Sequence, residues 1–496
     1  MKFVKAFAAV IATAALAMGT VTASQAASST LTLGVIAKPI DFRASQSEAG
    51  NRVWYYQSVY DQLFHETENG TIVPWLATSY TYNAKQTNLT LKLRTDVTFS
   101  DGSKLDSADV VASLKAFQTG NGPTANYLDS MTSVYADGAS TVIIKLKDTD
   151  PAFLHYLANT AGTIGSSKST ATVPVGSGPY ILDTASSVAG SKYVYTSNPN
   201  YWNKASRAYD NLTLLVYEDQ TALVNALRSG AVQAGNVADP SAAKSLVSSG
   251  FKTVKSYVDA KGIYFSDRTG KHKSCIADVN VRRAINTVFD RNALNKSLDA
   301  GTGLVTSQYF PDNSVAFNKA LDAQYKYDLA AAKKFMAASK FAKGCTITMP
   351  TLTIYFTEAA YTLIRSQLGK IGIKVKEVAV APANFITDIL GGKFDAYLMQ
   401  FERAGEPWTL MNFMITKNAT FSIDGYAEPK VTKLIADFKA ATADKRGAIL
   451  KQINAELTNN AWFNVWYAKQ ANFVYKNATI KAPQLGNIIP FLYGIK

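Results

Sequence analysis

Leu89, Leu91 and Leu93 alternate with Thr90, Lys92 and Arg94, a period of two that predicts a strand with one buried face. Ser100-Asp101-Gly102 follows with turn chemistry, because glycine tolerates positive φ and the aspartate side chain can accept from nearby backbone N–H groups. Asp106 then stands where an N-cap is needed, and Asp109 suits the positive end of a new helix. Val110, Val111, Leu114 and Phe117 recur on one face of that helix. Strand, turn and capped helix are well specified here, yet the stretch displays no reactive group.

The same alternation of periods runs along the whole chain. It predicts strands over 31–36, 141–147, 193–196 and 212–217, and another built on Ile371, Ile373 and Val375. Helices are predicted over 55–64, over 220–229 with Gly230 as the stop, from Asp328 as cap through Met336, and over 358–368. No internal sequence repeat is evident. The pattern reads as α/β of mixed topology with discontinuous domains, since the C-terminal strands need a sheet to join.

At 496 residues the chain exceeds one ordinary core, so two or three domains are expected. An apolar share of 47% and a charged share of 18% fit a soluble globular protein. The 26 Tyr and 24 Phe suit either a large core or recognition of a ligand by stacking. Residues 1–26 read as a signal peptide: Lys2 and Lys5, an apolar run over 6–18, then Ser24-Gln25-Ala26 as a cleavage site. No cysteine lies near that site to carry a lipid, and no later run reaches the length of a membrane span. Loss of Lys2 and Lys5 lowers the formal charge from +14 to +12. The basic residues are scattered, which favours a solvated cationic surface over a nucleic-acid interface. Cys275 and Cys345 either form one disulfide, closing a loop of about 70 residues for roughly 4 kcal/mol, or remain two buried thiols. An oxidising compartment favours the disulfide.

Candidate chemistry is sparse. His65, His155 and His272 are far apart, and neither an HExxH nor a paired-cysteine motif is present, so no metal site is expected. Gly391-Gly392-Lys393 lacks the upstream glycine of a phosphate loop, and Ser177 lacks the flanking pattern of a hydrolase nucleophile. Ser177 reads as a turn residue. Glu402 and Glu406 could do acid–base work or sit in a solvated loop. A binder is expected before an enzyme.

Several stretches together resemble the extracytoplasmic solute-binding proteins of ABC importers, in the peptide/nickel-type group called family 5. "VPWLATSYTYN" with "LTLKLRTDVTFSDGSKLDSADVVASL", "PVGSGPYIL", "NPNYW", "DVNVRRAINTVFDRNAL", "YDLAAAKKFM" and "LGKIGIKVK" occur in the family's order over nearly all of the chain that follows the signal peptide. The resemblance implies a periplasmic-binding-protein-like fold of type II, two lobes joined by a hinge of two crossing strands, plus an additional domain in the N-terminal half. On that template lobe I is 27–60, 172–266 and 471–496, the additional domain 61–171, and lobe II 267–470. It implies a Venus-flytrap clamp with no catalytic step and no cofactor. The expected partners are an oligopeptide or similar small polar solute and a permease in the cytoplasmic membrane. No nucleic acid is expected, and the protein should be a periplasmic monomer. An oligosaccharide, opine or nickel chelate is the alternative cargo, and an exported hydrolase the rival of another class.

Peptide-binding members usually hold the ligand's amino terminus with an aspartate in a loop after a lobe II strand. The matching loop here, Glu402-Arg403-Ala404-Gly405-Glu406-Pro407, lacks that aspartate, leaving Glu402 or Arg403 in its place. Glu402 would hold a cation and Arg403 an anion or hydroxyl. Positional logic adds Pro39, Ile40 and Asp41 after the first strand, Tyr355 and Phe356 after a lobe II strand, Phe401 and Trp408 around the loop, and Trp466 and Tyr467 near the returning hinge strand.

Overall fold

The computed structural model describes residues 29–67, 70–353, 356–403, 405–481 and 487–496. The expected signal peptide and Tyr355 lie outside the described residues. The largest sheet has nine strands. On one side, Thr30–Val35 runs parallel to both Asn211–Val216 and Ala234–Val237, and Lys192–Ser197 and Tyr180–Val188 extend the edge antiparallel. On the other side lies Ala396–Glu402.

Two long strands connect these sides. Lys252–Phe265 pairs antiparallel with Asn464–Tyr475, from Lys252 opposite Tyr475 to Ile263 opposite Asn464, with a first register slip between Tyr257 and Asp259. The first half of this ribbon borders Ala234–Val237, and the second half borders Ala396–Glu402. The register slips between Lys261 and Gly262, where a Cβ on Gly262 would lie 2.2 Å from the Asn464 carbonyl oxygen. Only glycine lets the two backbones approach so closely there. The ribbon divides the molecule into two lobes, joined along a hinge.

The opening stretch of the sequence forms a separate four-stranded antiparallel sheet of Ala77–Tyr82, Asn88–Leu93, Thr141–Leu146 and Met131–Ala136. Helix Ser107–Thr119 packs on it through Val110, Leu114 and Phe117. Its start is a capping box: the Asp106 carboxylate accepts from Ala108 N at 2.8 Å and from Asp109 N at 3.3 Å, while Asp109 accepts from Asp106 N at 3.0 Å. In lobe II, Cys345–Thr351 and Ile373–Ala379 run parallel on either side of helix Glu358–Gly369. Cys275 and Cys345 are disulfide-bonded, with Cα atoms 6.5 Å apart.

One expected helix is much shorter. Helix Val53–Gln57 ends where 55–64 was expected to continue. The Ser58 and Val59 carbonyls accept instead from Tyr180 N at 2.8 Å and Gly178 N at 3.1 Å. Glycine at 176 and 178 permits this approach, since a Cβ at 176 would meet the Val59 oxygen at 1.9 Å. The chain then turns into buried Asp61, whose carboxylate accepts from Trp75 Nε1 at 2.7 Å, Ser177 Oγ at 3.0 Å and Trp202 Nε1 at 3.0 Å. Three separate sequence motifs thus converge on a single carboxylate. Burial, partly offset by these donors, pushes the Asp61 carboxyl up to about 6.

Candidate functional site

A cavity of about 580 Å³ opens between the additional domain and lobe II. Its volume is that of a small-solute site. One wall comes from Tyr127 and Tyr156, whose rings stack with centroids 4.3 Å apart. The facing wall comes from Phe401, Trp408 and Phe413. Strand Ala396–Glu402 delivers Phe401 and Glu402, and helix Pro407–Met414 delivers Trp408 and Phe413. The polar lining includes Asp129, Asp148, Asp150 and Glu402 against Lys147 and Lys439. Lys439 Nζ sits 5.4 Å from the centre of the Trp408 ring and forms an ion pair with Asp148, so it spans the boundary between additional domain and lobe II.

Glu402 is the acid aimed at this space. No described residue forms a hydrogen bond or ion pair with its carboxylate. It stands in register opposite Asp259 of the hinge strand. Glu402 is exposed to solvent at the cavity, and the crowding of nearby protein, then the Asp259 charge, push its carboxyl up to about 7. A cation arriving in the cavity would therefore restore its charge.

Arg403, the alternative at this position, faces the other way. Its side chain is fully buried and donates to the Tyr257 carbonyl, to the Phe310 carbonyl at 3.2 Å and to Asp312 Oδ1 at 3.1 Å. The strand ends at Glu402; beyond it the Arg403 N–H donates to the Val258 carbonyl at 2.7 Å, and the side chain turns inward to these acceptors. Glu406 is a helix cap, accepting from Thr409 N at 2.6 Å and Thr409 Oγ1 at 3.0 Å.

Phe401, Glu402 and Trp408 thus meet around the cavity, and the remaining candidates do not. Pro39, Ile40 and Asp41 form a lobe I loop outside its lining, with Asp41 held by Arg43 N at 2.7 Å and Nε at 2.9 Å. Phe356 is buried in the lobe II core. Trp466 donates to Asn464 Oδ1 at 2.7 Å, and Tyr467 donates to Asp299; both rings are fully buried in the same core. Trp466 and Tyr467 lie within the strand Asn464–Tyr475, and the rings of Phe356, Trp466 and Tyr467 pack inside the lobe rather than at the cleft. Sequence reasoning missed Tyr127, Tyr156 and Asp129 altogether. They belong to short turns and a five-residue helix, Phe153–Leu157, where no periodic signal marks an outward-facing aromatic.

The arrangement offers no catalytic dyad at Ser177, whose hydroxyl is buried and donates to Asp61 rather than to an imidazole. Among the described residues, no group of three His, Cys, Asp or Glu side chains is placed to hold a metal ion. No helix among them is long and apolar enough to cross a membrane.

Residues 71–422 match the family model for bacterial extracellular solute-binding proteins, family 5. The chain belongs to that family. This family 5 protein is 24% identical over 419 residues to the probable di/tripeptide-binding protein 5 of Pseudomonas aeruginosa, covering 76% of this chain and 78% of the relative. The solved structure of HbpA2 from Haemophilus parasuis superposes with a TM-score of 0.82 at 20% identity, covering 94% of this chain and 99% of that one. AgaA of A. tumefaciens in complex with agropinic acid superposes with a TM-score of 0.70 at 21% identity, covering 94% and 98%. The fold of this family 5 member is therefore the periplasmic-binding-protein type with two lobes and an additional domain.

Proposed function

We propose that the protein is exported by residues 1–26, works in the periplasm as a monomer, and delivers an oligopeptide or similar small amine-bearing solute to an ABC permease. In this reading lobe I comprises 27–60, 172–266 and 471–496, the additional domain 61–171, and lobe II 267–470. The observation that carries the reading is the aromatic-walled cavity with the unpartnered Glu402 carboxylate at the end of a hinge-bordering strand. Aromatic faces supply contact area for side chains or rings, and Glu402 holds a solute ammonium by a charge-assisted hydrogen bond. Similarity to a probable di/tripeptide-binding protein supports the peptide class.

A second cargo class has its own support. The same fold in AgaA holds agropinic acid, so an opine-like solute is the alternative. Thermal unfolding of the purified protein with a panel of di- and tripeptides, opines and oligosaccharides tests both. The peptide reading predicts that one peptide set at about 100 times its Kd stabilises the fold by roughly 2.7 kcal/mol. Stabilisation by opines alone would replace it, and no response to any of the classes would contradict it.

A further inference from the structure

The cavity between the additional domain and lobe II differs in charge from the molecule around it. The chain carries 51 basic and 37 acidic residues, a formal charge of +14. The cavity lining carries four carboxylates, Asp129, Asp148, Asp150 and Glu402, against the two ammonium groups of Lys147 and Lys439. Chance placement of charges on so basic a chain favours the opposite sign. The hinge strands beside Glu402 do not alter it, because Asp259 stands in register with Glu402 on one side and with Lys469 on the other.

Only some of these charges are free to meet a solute. Lys439 is committed to Asp148 and to the face of Trp408, with its Nζ 5.4 Å from the ring centre. The wall thus seats one ammonium of its own between a carboxylate and an aromatic face. Asp150 accepts from Ser130 Oγ at 2.7 Å and from Ala152 N at 3.1 Å. Asp129 and Glu402 remain: both are exposed, and no described residue forms a hydrogen bond or ion pair with either carboxylate. They come from opposite walls. Asp129 follows the turn Ala125–Leu128 that carries Tyr127, and Glu402 follows Phe401 at the end of its strand. Carboxylate and aromatic face therefore recur together on each side, with no described cation over Tyr127, Phe401 or Phe413.

A zwitterionic solute brings one amine and one carboxylate. It engages Glu402 and Lys147, and leaves Asp129 facing a space that loses water as the lobes close. A solute with one more positive group and no balancing acid satisfies Asp129 as well. We propose that the cavity selects solutes of net positive charge, namely peptides with a lysine or arginine and no balancing acid, and that Asp129 is the specificity-determining residue that receives the extra cation. This rests on the reading of the cavity as the site of the transported solute. Tyr127 and Phe413 offer aromatic faces to the stem and head of such a side chain. Burial raises the Asp150 carboxyl, and its two donors, then Lys439 and Arg446, only partly reverse this, so the walls supply little positive charge of their own.

Calorimetric titration with Ala-Ala-Ala, Ala-Lys-Ala and Ala-Glu-Ala tests this, at about pH 8, above the Glu402 value of about 7. The three peptides share length and termini and differ only in the charge of the central side chain. Ala-Lys-Ala should bind roughly tenfold tighter than Ala-Ala-Ala, and Ala-Glu-Ala more weakly than both. The advantage of Ala-Lys-Ala should shrink as NaCl rises to about 1 M. Asp129→Asn should remove most of that advantage and Asp129→Glu should keep it, since charge rather than shape is what Asp129 supplies. Its carboxylate is exposed and bonded to no described residue, so neither variant removes a contact that holds the fold. Glu402→Gln should weaken all three peptides, which marks the cavity as the place where they bind. Equal affinity for the three, a preference for Ala-Glu-Ala, or an advantage that survives Asp129→Asn overturns the selectivity while the cavity stands as the solute site. Binding of none of them, or binding that Glu402→Gln leaves untouched, overturns the selectivity and the reading of the site together.

Discussion

Arg403 and Glu402 show how much one residue of register decides. They are neighbours in sequence, yet one is a structural anchor and the other the acid facing the cavity. Arg403→Ala should destabilise the protein by about 3 kcal/mol in denaturant unfolding, because three backbone and carboxylate acceptors lose their donor inside the protein. Glu402→Gln should leave unfolding unchanged within about 0.5 kcal/mol and weaken an amine-bearing peptide roughly tenfold or more, read by calorimetric titration. An unchanged affinity would remove Glu402 from the site. The sequence reading singled out both residues; Glu402 closes the strand Ala396–Glu402 and Arg403 follows it. Which one faces inward was not legible, because alternation along a strand only assigns faces once the neighbouring strand is known, and that neighbour, Lys252–Phe265, lies far off in the chain.

At the scale of elements, local chemistry was the legible part. The Asp106 capping box, the stop at Gly230 with φ of 78°, and the Asp328 cap accepting from Ala331 N all stand where turn and cap residues put them. The helix that began at Val53 could not be bounded from its own residues. Its end is made by Gly178 and Tyr180, over 100 positions later, taking its carbonyls. The same long-range logic explains why the Trp75, Ser177 and Trp202 motifs carry structure rather than chemistry. They supply donors to Asp61, so Asp61→Leu should leave one buried and two half-buried donors without their acceptor and lower stability by about 3 kcal/mol, with Tm as the readout. The disulfide works at this scale too. Converting Cys275 and Cys345 to Ser together should reduce stability by roughly 4 kcal/mol, since the bond closes a loop with a separation of 70 residues.

The whole molecule is organised by its ribbon of two strands, Lys252–Phe265 and Asn464–Tyr475, with a solute-sized space beside it. Family membership and the two-lobed fold were legible from ordered motifs spread along the chain. The walls of the cavity were not, because half of them come from turns of the additional domain that carry no periodic signal. The account predicts that solute is held by closure and released unchanged. Native mass spectrometry of the protein incubated with a defined set of di- and tripeptides tests that most directly. It should show a 1:1 non-covalent complex whose peptide is recovered at its original mass on denaturation, with the complex depleted in Glu402→Gln. Recovery of a cleaved or otherwise altered peptide, or no complex with any member of the set, would contradict it.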